Sequence, residues 1–383
     1  MNANAAAPVT TVEAPMLTGT PGVKERNLGI DLLRMVSMLL VVILHVLGQG
    51  GVLSATGKSD PGTNYRIAWF LEIAAYCAVN CYGLISGYVG VRSKFKYTNI
   101  IMLWLQVFFY TGIITLLFSI FHPAYFEVGE EATELIWKAF LPAVKNQYWY
   151  FTAYFAMFFF IPFYNHAVNN MPKKQIRAVV IAGIVLFSVL PLLFRAGILG
   201  KAVSNVFYIS GGYNMMWLSV LYVTGAYISK YRPFEKIPTY VFFLAYLAAA
   251  IGAWFCKFYL QGGGVTVHYT SPFMLVEGVA LLEGFSRLKL KPVGPVIRFL
   301  SPAAFGVYLV HVHPLIWEEY MKKRYVEFAT FGTAKMLFAI FAAVLGIYLF
   351  CSAIDLCRHY LFRLLHIRKG LTYLENKFCK NLW

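Results

Sequence analysis

Apolar runs long enough to cross a lipid bilayer recur from residue 28 to residue 356, and they constrain the fold more than any other feature of this chain. A hydrocarbon core about 30 Å thick calls for about 20 mostly apolar residues in a helix. Ten runs fit, bounded by charged or Gly/Pro-rich breaks: residues 28–49, 67–89, 98–121, 147–168, 178–194, 214–229, 238–260, 271–286, 303–317 and 333–356. The fifth, sixth, eighth and ninth are short. Composition agrees: 59% of the 383 residues are hydrophobic and only 13% are charged, a balance too apolar for an ordinary soluble domain. The expected fold is all-α, a polytopic membrane helical bundle of about ten transmembrane helices.

The net charge of +16 does not point to nucleic acid, because Lys and Arg sort by side of the membrane instead of forming one soluble patch. With the N terminus in the cytoplasm, Lys24, Arg26, Arg92, Lys94, Lys96, Lys173, Lys174 and Arg177 fall inside. So do Lys230, Arg232, Lys236, Arg287, Lys289, Lys291, Arg298 and the basic residues of the C-terminal tail. The positive-inside rule therefore predicts two cytoplasmic termini in a multi-pass plasma-membrane protein. The acidic segment with Glu127, Glu130, Glu131 and Glu134 falls outside.

Residues 1–26 read as a flexible cytoplasmic tail without the features of a signal peptide. Residues 27–356 read as one membrane-embedded domain. Residues 357–383 mix Tyr360, Leu361, Leu364 and Leu365 with basic side chains, which suits an amphipathic helix on the anionic inner leaflet. The six cysteines are scattered in or beside the runs, so no structural disulfide is expected.

Arg34 and His45 lie inside the first run, where lipid tolerates neither cheaply. Eleven residues apart, they return to within about 20° of the same helix face and stand about 16 Å apart along the axis. One face thus carries a cation near one end and a titratable base deeper in. Asp31 and Glu72 are the acids placed to hold such groups as a buried polar scaffold, the plainer alternative to a site. Glu277 and Glu283, at other span margins, read as structural partners for buried cations.

The second run ends in Ile85-Ser86-Gly87-Tyr88, after which Arg92, Lys94 and Lys96 follow. Alone, Ser86-Gly87 reads as helix packing and the cations as topology signals. Beside Arg34 they make one cationic mouth suited to a polyanionic cytosolic ligand. In the ninth run His311 and His313 point about 160° apart on a helix, so only one can face a common site, and His311 is the deeper. The aromatic cluster Gln147-Tyr148-Trp149-Tyr150 reads as an interfacial belt. Cys77 and Cys81, one turn apart, lack matching His or acidic partners and read as packing, so no metal is expected. Walker, Rossmann, nucleophile-elbow and zinc patterns are absent in usable context.

Three segments together resemble the acyltransferase 3 family, multi-span bacterial acyltransferases that modify surface glycans, glycolipids and related acceptors. They are Asp31-Leu32-Leu33-Arg34 with His45, then Ile85-Ser86-Gly87-Tyr88 with trailing Arg92, then Phe305-Gly306-Val307-Tyr308-Leu309-Val310-His311. The chain departs from the family pattern at position 95, where Phe stands between Lys94 and Lys96 in place of an arginine pair three apart.

The resemblance implies an integral membrane O-acyltransferase using cytosolic acyl-CoA, acetyl-CoA first among donors. The acceptor it implies is a hydroxyl of a cell-envelope glycan or lipid-linked saccharide. Arg92, Lys94 and Lys96, with Ser86 nearby, would hold the donor phosphates. Arg34 would guide the pantetheine arm or neutralise donor charge. His45 would act as general base or carry the acyl group itself. Asp31, Glu72 and His311 complete the candidate site. A transporter or flippase of a glycan or small polar substrate is the alternative, since it too places charge at the membrane midplane.

Overall fold

The computed structural model describes residues 26–57, 62–123, 146–200, 207–260 and 263–378, with isolated positions between 134 and 143. Apart from Arg26, the N-terminal tail lies outside the described residues, as do Glu127, Glu130 and Glu131 of the acidic segment. The described residues are helical and contain no strand.

Helix α1 (Leu28–Leu47) begins where the Asn27 side chain accepts a hydrogen bond from the Ile30 amide at 3.1 Å, leaving Asp31 in the first turn. It stops at a glycine turn whose Gly51 has φ +96°, a left-handed conformation that glycine adopts without steric cost. There the Lys323 and Tyr325 amides donate to the Gln49 and Gly50 carbonyls at 2.9 and 3.0 Å. After the short α2 (Val52–Thr56), the second apolar run forms α3 (Thr63–Tyr76) and α4 (Ala78–Gly90), broken at Cys77. The next run is α5 (Tyr97–Phe121), and the fourth divides into α6 (Trp149–Phe158) and α7 (Ile161–Asn170).

Helix α8 (Lys173–Arg195) follows, with a π turn at Val185–Val189, then α9 (Met215–Tyr231), α10 (Thr239–Tyr259) and α11 (Pro272–Ser286). Helix α12 (Gly294–Leu300) precedes the ninth run, which begins as α13 (Ala304–His311); from there the chain bends by 67° into Pro314–Thr330. The long α14 (Thr333–Leu364) and the amphipathic α15 (Ile367–Phe378) complete the order.

Among the described residues six helical segments are long and apolar enough to cross a membrane: α1, α3 with α4, α5, α8, α10 and α14. The bent pair would make a seventh. Length explains why the other runs fall short. At 1.5 Å per residue, the 17 residues of α9 and 15 of α11 reach about 26 and 23 Å. Helix α9 is nevertheless among the most deeply buried, with Trp217, Leu218, Leu221 and Tyr222 fully inside.

Helix α1 sits at the centre, against α3, α4, α11, α12, α13 and α14. Beside it, α4 and α9 meet through glycines: a Cβ on Gly87 would stand 1.8 Å from the Tyr222 carbonyl oxygen, and one on Gly225 2.0 Å from that of Leu84. Gly87 is thus the packing half of the Ser86-Gly87 pair, as small residues at membrane helix contacts are.

Candidate active site

Asp31, buried in the first turn of α1, gathers two guanidiniums. Arg34 Nη1 donates to Oδ1 at 2.7 Å, the i to i+3 spacing placing both on one face. Arg26 donates to Oδ2 and, through Nη2, to Ser301 Oγ at 2.9 Å. Both arginines line a cavity of about 780 Å³ together with Ser86, Arg358, Arg363 and Arg368. Its walls are aromatic, including Tyr82, Tyr150, Tyr154, Phe305 and Phe362, and no carboxylate lines it among the described residues.

Arg358 is fixed from behind by the buried Asp355, donating from Nη2 to Oδ2 at 2.7 Å and from Nε to Oδ1 at 3.0 Å. Gln106 Nε2 and the Tyr110 hydroxyl donate to the same Oδ1 at 3.0 and 2.8 Å. Only a glycine fits opposite, since a Cβ at Gly306 would lie 2.1 Å from that carboxylate. Buried pairs of this kind position charge more than they stabilise, and losing one partner costs about 3–5 kcal/mol.

A smaller cavity of about 50 Å³ holds His45, and Tyr82, Tyr150 and Phe305 line both spaces. Three aromatic side chains therefore separate the basic vestibule from the histidine. The Tyr82 hydroxyl donates to the Arg34 carbonyl oxygen at 2.7 Å, tying this wall to α1. The buried Tyr150 hydroxyl has no hydrogen-bond partner among the described residues.

His45 Nδ1 lies 2.9 Å from His311 Nε2, and His311 Nδ1 lies 2.5 Å from the Val307 carbonyl oxygen. The carbonyl can only accept, so His311 Nδ1 carries a proton and, in the neutral ring, Nε2 presents a lone pair. His45 Nδ1 must then donate to it. That leaves His45 Nε2 as the free base, with its tautomer set by the second histidine. Trp317 meets the His45 ring edge-on at 5.0 Å. Trp149 and Tyr269 also line the pocket and form an aromatic cluster with Tyr213, Trp149 being stacked on Tyr269 at 5.7 Å and packed on Tyr213 at 4.6 Å.

His311 also borders a third space of about 950 Å³, an apolar groove between α5, the bend after α13, and α14. Arg358 lies at the edge of this groove as well as of the vestibule.

Of the sequence-predicted residues, the structure brings Arg34 and Ser86 to the vestibule, with Asp31 behind Arg34, and brings His45 against His311. Arg92, Lys94 and Lys96 do not line the vestibule; Arg92 donates to the Ser229 carbonyl on α9. Glu72 is buried beside the far end of α1, where its charged neighbour is Lys257 rather than Arg34. Glu283 pairs with Arg287, and Glu277 lies against Cys77 and Cys81. His313 turns the other way, its Nδ1 accepting from the Leu315 amide at 3.3 Å. No group of three His, Cys, Asp or Glu side chains among the described residues could hold a metal.

Sequence reasoning missed Arg358, Arg363 and Arg368, which it assigned to a tail on the membrane surface. Asp355 inside an apolar run, three residues before Arg358, was the available signal. It also read Trp149 and Tyr150 as an interfacial belt, whereas both line the histidine pocket.

Membrane-length helices arranged around a basic vestibule and a histidine pair define a multi-pass membrane protein with an internal polar site. The model of the acyltransferase domain family, acyltransferase 3, matches residues 27–354, and the chain belongs to that family. It is therefore a membrane acyltransferase. Comparisons with curated proteins and with solved structures gave no match.

Proposed function

We propose that this acyltransferase moves an acyl group, acetyl in the first instance, from cytosolic acyl-CoA to a hydroxyl of a cell-envelope glycan or lipid-linked sugar. The chain from His45 through His311 to the Val307 carbonyl carries the reading, because it leaves one imidazole nitrogen unprotonated beside a cavity that adjoins a cationic vestibule. In this reading the protein spans the plasma membrane ten times, with residues 1–26 and 357–383 as cytoplasmic tails around a membrane domain of residues 27–356.

The nucleotide end of the donor stays in the vestibule, where Arg34 neutralises charge, while Arg92, Lys94 and Lys96 draw the polyanion to that side of the membrane. The pantetheine arm passes Ser86 and the wall of Tyr82, Tyr150 and Phe305. The rise along α1 from Arg34 to His45 is about 16 Å, so an extended arm is required and a compact donor would not serve. The acceptor approaches across Trp149, Tyr213 and Tyr269, whose flat faces suit a sugar ring. His45 Nε2 takes the hydroxyl proton as the oxygen attacks the thioester carbonyl. The carbon–sulfur bond then breaks, and the thiolate recovers that proton from His45. The Tyr150 hydroxyl is the donor for the developing oxyanion, and His311 Nε2 holds the imidazolium in place throughout.

The test is purified protein in lipid given radiolabelled acetyl-CoA, with and without an envelope fraction, beside His45→Ala. Label passing to envelope material only with His45 intact supports the reading. Label retained on the protein indicates an acyl-histidine instead. Absence of binding and turnover with several acyl-CoAs would put a transporter or flippase first.

A further inference from the structure

The vestibule is built from two sources. Arg26 and Arg34 come from the start of the chain, whereas Arg358, Arg363 and Arg368 lie beyond residue 354, where the match to the family domain ends. The two acids that touch this set, Asp31 and Asp355, each stand behind an arginine and do not line the cavity. Five guanidiniums against two carboxylates leave a surplus of positive charge facing the space.

The position of α15 follows from one docking contact. Glu375 accepts from the Tyr97 amide at 2.6 Å and from the Thr98 hydroxyl at 2.5 Å, capping the first turn of α5 with a carboxylate. Arg368 lies seven residues earlier, two turns along the same face of α15. That register brings its Nη2 to Asn99 Oδ1 at 3.1 Å, on the vestibule wall. The opposite side of α15 leaves Tyr373 and Leu374 exposed, the apolar face of a helix that rests on a membrane surface. Arg363, on the last turn of α14, is exposed, while Arg358 is locked to Asp355 and packs its guanidinium over Phe362 at 5.1 Å.

We propose that Arg358, Arg363 and Arg368 form a phosphate clamp for the nucleotide end of the donor, with α15 as the strap that holds it shut. The site takes a phosphorylated adenosine diphosphate, the chemistry that coenzyme A presents and a bare thioester lacks. Guanidiniums present paired N–H donors to phosphate oxygens, and the aromatic walls offer faces to an adenine ring. The clamp rests on the acyl-CoA reading above and adds to it the residues that recognise the 3′-phosphate.

The experiment measures coenzyme A and 3′-dephospho-coenzyme A binding to the full-length protein in nanodiscs, with and without anionic lipid. The variants are Arg363→Gln/Arg368→Gln and Glu375→Gln. Arg358 is left alone because it is part of the buried Asp355 network. The wild type should prefer coenzyme A over its dephospho form by about tenfold or more, as loss of one charge-assisted contact predicts. The double variant should lose most of that preference, and in turnover its defect should fall on KM. Glu375→Gln should weaken both ligands less, through looser closure.

Equal preference in wild type and double variant overturns the clamp while leaving the acyl-CoA reading standing. Failure of the wild type to bind either ligand overturns the acyl-CoA reading itself. Variants that change only the response to anionic lipid show that these arginines hold lipid headgroups, which also overturns the clamp. A fold check by thermal unfolding separates each outcome from loss of protein.

Discussion

The vestibule and the apolar groove are close in volume, about 780 and 950 Å³, and share Arg358 as a boundary, yet one is lined by five arginines and the other by leucine, isoleucine and phenylalanine. The difference follows from what stands behind each wall. Every vestibule arginine that is fixed has a polar partner behind it: Asp31, shared by Arg26 and Arg34, Asp355 for Arg358, Asn99 for Arg368. The groove has almost no such support, and its rim residues Leu117, Phe121 and Phe350 are largely exposed, as lipid-facing side chains are. A polar cavity inside a membrane domain has to be held by buried acids, whereas an apolar one needs only gaps between helices. The histidine pair lies between them, with His45 in the pocket that adjoins the vestibule and His311 on the groove.

Replacing His45 with alanine is the sharpest test of which side carries the chemistry. Loss of a general base lowers rate by about 10²–10⁴-fold, so kcat for acyl transfer should fall by that amount with the fold intact by thermal unfolding. A residual rate within a few fold of wild type would move the chemistry away from this pair. Next in size is Asp355→Ala, which strips the buried Arg358 of its carboxylate. Stability should drop by about 3–5 kcal/mol, read as a lowered unfolding midpoint in detergent, and replacing Arg358 with methionine in the same chain should restore part of it.

His311→Phe keeps the apolar volume and removes the acceptor that sets the His45 tautomer. The loss should be about 10–100-fold in kcat, the range for an outer partner that orients a histidine, with KM for the acyl donor little changed. A wild-type rate would mean that the His45 ring is held by Trp317 alone.

Much of the arrangement was legible in the sequence. Apolar run length marks where helices lie, because a bilayer admits few other solutions. Eleven-residue spacing marks Arg34 and His45 as sharing a face because helical periodicity is fixed. The opposed directions of His311 and His313 were legible for the same reason. Single positions at i and i+3 also made Asp31 a natural partner of Arg34.

What escaped reading depends on distant packing. Nothing local to Arg363 or Arg368 says that α15 folds back against the start of α5, since that contact is made by Glu375 across more than 270 residues of chain. The same holds for Trp149 and Tyr150, whose composition is that of any interfacial belt until the fold sets them on the His45 pocket. Span count is limited by another effect. Helices α9 and α11 are shorter than a bilayer is thick, and their buried surroundings, not their own length, decide how they sit in it.

The smallest effect should come from the groove. If it holds only bilayer hydrocarbon, filling it changes packing against lipid and leaves the vestibule and the histidine pocket alone. Leu117→Trp and Phe350→Trp add or retain bulk at exposed rim positions without touching a polar group. Substitutions of that sort at a surface are usually worth within about 0.5 kcal/mol, roughly a twofold change. KM for the acyl donor and kcat toward a soluble acceptor should therefore both stay within about twofold of wild type. A larger fall confined to lipid-linked acceptors would break the contrast between the two cavities, because it would make the groove the seat of the acceptor's hydrocarbon chain. In that case His311, which borders the groove and bonds to His45, becomes the link between acceptor and base, and the two spaces serve the two substrates of one reaction.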